Sequence, residues 1–142
     1  MASSSARCSH APNSKLPKPT ASCGYIINLA ENILFDYDKH ELNPAAYPLL
    51  DELAQALQQT KVEHIEIAGH TDSKGSDDYN LRLSLQRAQA VLQALQQRHS
   101  ASQATAHGYG EAQPVAPNEV DGADNPSNRQ LNRRVEILVK TQ

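Results

Sequence analysis

The chain has 142 residues, of which 39% are hydrophobic and 20% charged, with a formal net charge of −3. That length fits one domain burying roughly 68–70% of its unfolded surface, so no disulfide or metal is required to hold it together. No stretch approaches the ~18 consecutive apolar residues of a membrane-spanning helix, and a pI near 6.0 offers no broad basic surface for nucleic acid.

Residues 1–23 differ from the rest. They carry Arg7, Lys15 and Lys18 without a single acid, together with six serines and three prolines. Leu16 is their only large aliphatic residue. Such a segment cannot bury enough apolar surface to offset its ordering entropy, so a flexible leader or linker is expected over 1–23 and one folded domain over 24–142. Residues 24–142 hold 10 basic and 16 acidic side chains, a net −6. No apolar run follows Arg7, so a signal peptide is not expected. Either an export signal or upstream domain lies outside this chain, or the protein is cytosolic; composition leaves both open. Cys8 and Cys23 have no zinc-ligand spacing. Pairing in an oxidising compartment and two incidental thiols are both open, with little effect on the fold in either case.

Tyr25 to Phe35 is rich in β-branched and aromatic residues and reads as a first strand with a break near Glu31–Asn32. Asp36–Lys39 is a polar turn. Asn43 and Pro44 are an N-cap and first helical residue, although Pro48 moves the helix start toward Tyr47. Leu49, Leu50, Leu53, Ala54 and Leu57 then mark its buried stripe. Val62–His70 alternates as a second strand, with Ile65, Ile67 and Gly69 on one side. After the loop 72–76, Asp77 or Asp78 caps a second helix over about Tyr79–His99. Its apolar face is predicted from Leu81, Leu85, Ala88, Leu92 and Leu95, with Val91 at the edge. Ala104–Tyr109 is a short third strand, residues 111–129 a long polar loop, and Arg133–Val139 a fourth strand. The order β-α-β-α-β-loop-β without an internal repeat predicts an α/β (α+β) sandwich: a four-stranded mixed sheet with two main helices on one face.

The densest polar cluster follows the second strand: Gly69-His70-Thr71-Asp72, then Asn80, Leu83-Ser84 and Arg87. Asp72 lies just past a strand end, the usual place for a ligand site in α/β layouts. Arg87 falls at the border of the predicted apolar face, and Leu83, one turn earlier, falls outside it. From spacing alone, Asp72 and Arg87 form either an ordinary ion pair or two clamps for a zwitterion, the carboxylate accepting from an ammonium and the guanidinium gripping a carboxylate. A hydrolytic triad of Ser84, His70 and Asp72 lacks a nucleophile elbow. A zinc site from His64, His70 and His107 lacks an HExxH or a suitably spaced acidic ligand. Neither is expected, and the chain is read as no enzyme. The glutamine-rich face of the second helix reads as solvated.

The run GHTDSKGSDDYNLRLSLQRAQAV, preceded by ILFDYD and followed by GYGEAQPV and NRRVEI, resembles the OmpA-like C-terminal peptidoglycan-binding domain. That family includes the periplasmic domain of outer membrane protein A, peptidoglycan-associated lipoprotein and flagellar stator proteins. The resemblance covers about residues 25–140, with motifs in order over four separate segments. It implies non-covalent binding of peptidoglycan through the diaminopimelate of the stem peptide, tethering a Gram-negative envelope protein to the wall. Asp72 would take the ammonium and Arg87 the carboxylate of that side-chain centre. Phe35, Asp36 and Tyr37, Asn80 and Leu83, and Arg133 and Arg134 match further site or rim positions. No cofactor and no metal is implied. The expected place is the periplasm, associated with the outer membrane through a part outside this chain, with a homodimer possible. The alternative is a protein–protein docking or dimerisation module on the same fold; an intact Asp72 and Arg87 argue against it. Residues 121–129 are longer and more acidic than the family's usual loop.

Overall fold

The computed structural model describes residues 24–60, 62–98 and 103–141. The expected leader, with Cys8 and Cys23, lies outside the described residues.

Strand β1 (Gly24–Ala30) does not run on to Phe35; it passes directly into a one-turn helix, α1 (Glu31–Leu34). The Glu31 N–H donates to the Arg133 carbonyl at 3.0 Å and the Phe35 N–H to the Glu31 carbonyl at 2.9 Å. That turn swings both Leu34 and Phe35 into the core, which period-2 alternation could not have delivered. Asn43 then caps a 3-10 turn (Pro44–Ala46), its side chain accepting from the Ala45 N–H at 3.0 Å. Helix α2 (Tyr47–Gln58) follows, with Pro48 in the first turn, where its missing N–H costs nothing.

Strand β2 (Val62–His70), helix α3 (Asp77–Gln97) and strand β3 (Ala104–Gly108) make a parallel β-α-β unit. Residues 111–129, expected as a loop, instead hold a small ribbon, β4 (Glu119–Val120) paired with β5 (Ala123–Asp124), and the start of helix α4 (Pro126–Asn132). Asp121 and Gly122 supply the two positive φ values, 54° and 80°, that close such a ribbon. Strand β6 (Arg134–Thr141) then inserts antiparallel between β1 and β2, giving the order β1-β6-β2-β3. The mixed four-stranded sheet and its two long helices are the predicted α/β sandwich.

One face of the sheet presents Ile65, Ile67, Val135, Ile137 and Val139 to Leu50, Leu53 and Leu57 of α2 and to Ala88, Val91 and Leu95 of α3. Each large aliphatic side chain buried there contributes roughly 1.5–3 kcal/mol relative to exposure. Helix α3 is capped by Ser76, which accepts from the Tyr79 N–H, rather than by Asp77 or Asp78. It is also rotated from the predicted orientation: Leu81 is exposed, while Leu83, Ser84 and Arg87 are buried beside Ala88 and Val91. The cause lies beneath it. A Cβ on Gly69 would stand 2.1 Å from the Ser84 carbonyl oxygen, and one on Gly108 2.4 Å from the Leu85 nitrogen. Helix and sheet therefore touch backbone to backbone at Ser84, where larger side chains do not fit.

The opposite sheet face carries a polar cluster at its His70 end, while Ile26 and Leu138 pair farther along it. His70 is stacked on Tyr109 at 5.3 Å, and its Nε2 lies 3.6 Å from Glu136, which also binds Arg134 at 2.7 Å. Burial, helped by Arg134 and opposed by Glu136, lowers the His70 pKa to about 4. Between that value and the ordinary ~6.5, an unfolded chain binds a proton that the folded one refuses. This contribution to stability is full above pH 6.5 and falls away toward pH 4, by up to about 3 kcal/mol. Urea unfolding of His70→Gln should accordingly depend less on pH across that window than the parent. Equal slopes would show that His70 is not the group responsible.

Candidate functional site

Three segments converge beyond the carboxyl end of β2: the turn after α1, the β2–α3 turn and the α4–β6 junction. Between them lies a cavity of about 200 Å³. The β2–α3 turn is pinned from inside. Asn80 donates from Nδ2 to the Lys74 carbonyl at 2.8 Å and to Glu111 at 3.2 Å. Asp72 Oδ1 accepts the Lys74 N–H at 2.9 Å, closing a local turn that aims the other oxygen at the cavity. That oxygen, Oδ2, faces Arg133 at 2.5 Å and Arg129 at 3.2 Å.

Arg87 reaches the same cavity from α3. It is almost wholly buried, with Nε donating to the Lys39 carbonyl at 2.8 Å and Nη2 3.1 Å from Glu31. Its guanidinium lies 5.0 Å over the Phe35 ring, a cation–π contact. Burial lowers the Arg87 pKa and Glu31 opposes that shift. Glu31 is shared, since Arg133 Nε also lies 3.5 Å from it. A row of alternating charge thus runs Arg87, Glu31, Arg133, Asp72, Arg129, and ends on Asp124, which Arg129 grips with two nitrogens at 2.8 and 3.0 Å. Asp72 and Arg87 are not each other's partners; each is held by a third charge.

Of the positions expected from sequence, Asp72, Arg87, Tyr37, Asn80, Leu83 and Arg133 line the cavity. Phe35 supports Arg87 from beneath. Asp36 holds the turn, accepting from Asn43 Nδ2 at 2.8 Å. Arg134 is placed elsewhere, on the sheet face that carries His70, where it binds Glu136 and the Gln113 and Asn132 carbonyls. Glu31 and Arg129 also line the cavity, and neither stood out in the sequence. Glu31 sits at the break in what read as a strand; the one available signal for Arg129 is its place one helical turn before Arg133.

Ser84, His70 and Asp72 do not form a hydrogen-bonded triad. The Ser84 hydroxyl donates to the Leu81 carbonyl at 2.9 Å and accepts from the Gly110 N–H at 3.0 Å. His70 contributes to the other sheet face. Among the described residues, no group of three His, Cys, Asp or Glu side chains is arranged to hold a metal ion, and no helix is long and apolar enough to cross a membrane.

The model of the OmpA family matches residues 34–129. Over 121 residues the chain is 49% identical to photosystem I P700 chlorophyll a apoprotein A2 of Gloeobacter violaceus, covering 84% of the chain and 14% of that protein. Over 123 residues it is 39% identical to outer membrane porin F of Pseudomonas fluorescens, covering 86% of the chain and 36% of the porin. The chain therefore spans well under two thirds of these relatives' length. Among solved structures, the cell wall anchor of the T6SS from Pseudomonas aeruginosa is 30% identical with a TM-score of 0.71, over 82% of this chain and 81% of that one. The peptidoglycan-associated lipoprotein of Burkholderia pseudomallei is also 30% identical, with a TM-score of 0.62 over 80% of this chain and 89% of that one.

Proposed function

We propose that this chain, which belongs to the OmpA family, binds cell-wall peptidoglycan non-covalently and tethers an envelope protein to the wall. The diaminopimelate of the stem peptide is the bound group: Asp72 takes its ammonium and Arg87 its carboxylate. The observation that carries this reading is that one cavity is lined by both side chains, each already fixed by its own partner. A zwitterion entering there meets a carboxylate and a guanidinium whose geometry is set in advance, so little ordering entropy is lost on binding. Similarity to a cell wall anchor and to a peptidoglycan-associated lipoprotein supports the same partner. The work is done in the periplasm, where the wall is.

The affinity per site is modest. Charge-assisted contacts are worth roughly 1.5–3 kcal/mol each, but here Asp72 gives up an internal contact to take the ligand. A wall presents many copies of the ligand, and avidity makes up the difference. The test is a chemical-shift titration of the labelled domain with a diaminopimelate-containing stem peptide, set against its lysine-containing equivalent. The lysine peptide lacks the carboxylate assigned to Arg87. Shifts at Tyr37, Asp72 and Leu83–Arg87, weaker with the lysine peptide, are expected; no shift with either peptide would overturn the assignment.

A further inference from the structure

We propose that Arg129 is a displaceable internal cation that occupies the ammonium position at Asp72 in the free protein, and that Asp124 on the β4–β5 ribbon is the positioning residue that draws it away. The inference rests on the reading of Asp72 as the ammonium acceptor. It gives the acidic ribbon between β3 and β6 a role at the site.

The two guanidiniums at Asp72 Oδ2 are not equivalent. Arg133 is committed on its other sides: Nη2 donates to Gln130 at 2.7 Å and Nε faces the buried Glu31 at 3.5 Å. Moving it would strand a buried carboxylate between fewer partners, which is costly. Arg129 meets Asp72 through Nη1 alone, at 3.2 Å, while Nε and Nη2 form a two-point grip on Asp124. That fork-to-fork pairing raises the Arg129 pKa and lowers that of Asp124, as the stronger of two contacts should. Leaving Asp72 therefore costs Arg129 a single hydrogen bond. An ammonium arriving at Oδ2 is repelled by the nearby guanidinium, and Arg129 has a place to withdraw to because Asp124 is there.

The two halves of this salt bridge then act on binding with opposite signs. Removing the cation in Arg129→Gln clears one side of Asp72 Oδ2, with Arg133 kept on the other, and should tighten binding of the diaminopimelate stem peptide roughly two- to fivefold, the range of a partly exposed ion pair. Removing the anchor in Asp124→Asn leaves Arg129 free to close on Asp72 with more than one N–H. Binding should weaken by a similar factor. In the double variant, Asp124→Asn has nothing left to release, so its affinity should match that of Arg129→Gln. A salt bridge that merely held the ribbon in shape would weaken binding whichever partner is removed.

The experiment is a set of calorimetric or chemical-shift titrations of the parent, the two single variants, the double variant and Asp72→Asn with that peptide. Weaker binding by Arg129→Gln would make Arg129 a ligand contact and overturn the proposal, as would equal affinities in all the ribbon variants. If Asp72→Asn binds as the parent does, the ammonium assignment fails and the proposal fails with it. If Asp72→Asn loses binding while the opposite-sign pattern is missing, only the displacement is wrong. Absence of binding by the parent takes both down.

Discussion

Gly69→Ala is expected to cost about 3 kcal/mol of stability or more, a large part of the 5–15 kcal/mol that holds a typical domain folded. The added Cβ would lie 2.1 Å from the Ser84 carbonyl oxygen and 2.9 Å from its carbonyl carbon. Both are backbone atoms of α3, so no rotamer change relieves the clash; the helix must lift off the sheet. Lifting it also withdraws Leu83 and Arg87 from the cavity, so any folded residue of this variant should bind wall peptide poorly. Gly122→Ala is the matched control. It meets nothing within 4 Å and pays only for its φ of 80°, about 1–2 kcal/mol. Urea unfolding of both variants checks the contrast, and a Gly69→Ala midpoint equal to the parent's would refute the close approach of helix and sheet.

That same contact shows why part of the site was legible in the sequence and part was not. Alternation in β2 and β6 and the leucine spacing in α2 each report burial through side-chain size, and the structure places those elements where the pattern puts them. In α3 the pattern is misleading. The point nearest the sheet is made of the smallest groups, Ser84 over Gly69 and Gly108, while Leu81 is left outside. A helical wheel weighted by hydrophobicity therefore turns toward the large residues and leaves Leu83 looking misplaced, though it is buried against the cavity. Asp72 and Arg87 drew attention because they sit inside family-like motifs whose residues are close together in the chain. Glu31, Arg129 and Asp124 are brought to the site by tertiary folding of α1, α4 and the ribbon, and no local periodicity marks them. The ribbon itself had a signal, Asp121–Gly122 between Val120 and Ala123, and Asn125–Pro126 reads as a cap and first residue of a helix. Both were hidden inside a stretch whose overall polarity read as loop.

The electrostatic row across the cavity leads to the second large effect, on Arg87. Read from sequence, Asp72 is a contact reserved for ligand, so its loss should leave stability nearly unchanged, and Arg87 should cost somewhat more through its aliphatic stem. The structure sharpens the second expectation and revises the first. Asp72 already serves the free protein, accepting from Lys74, Arg129 and Arg133. Asp72→Asn keeps an oxygen for Lys74 and leaves each arginine another partner, so a loss of about 1 kcal/mol is expected. Arg87→Met is harsher. It fills a similar volume but leaves Glu31 with Arg133 alone at 3.5 Å and the Lys39 carbonyl without its donor. Removing one member of a buried pair costs about 3–5 kcal/mol, chiefly because the remaining charge is stranded. Adding Glu31→Gln removes that stranded charge and should restore part of the stability. It should not restore binding, because the guanidinium proposed to grip the ligand's carboxylate is still missing. Thermal unfolding and peptide titration of the two single variants and the double variant separate these quantities. Recovery of binding along with stability would show that Arg87 supports the fold without touching the ligand, and an unchanged melting temperature in Arg87→Met would show that Glu31 does not depend on it.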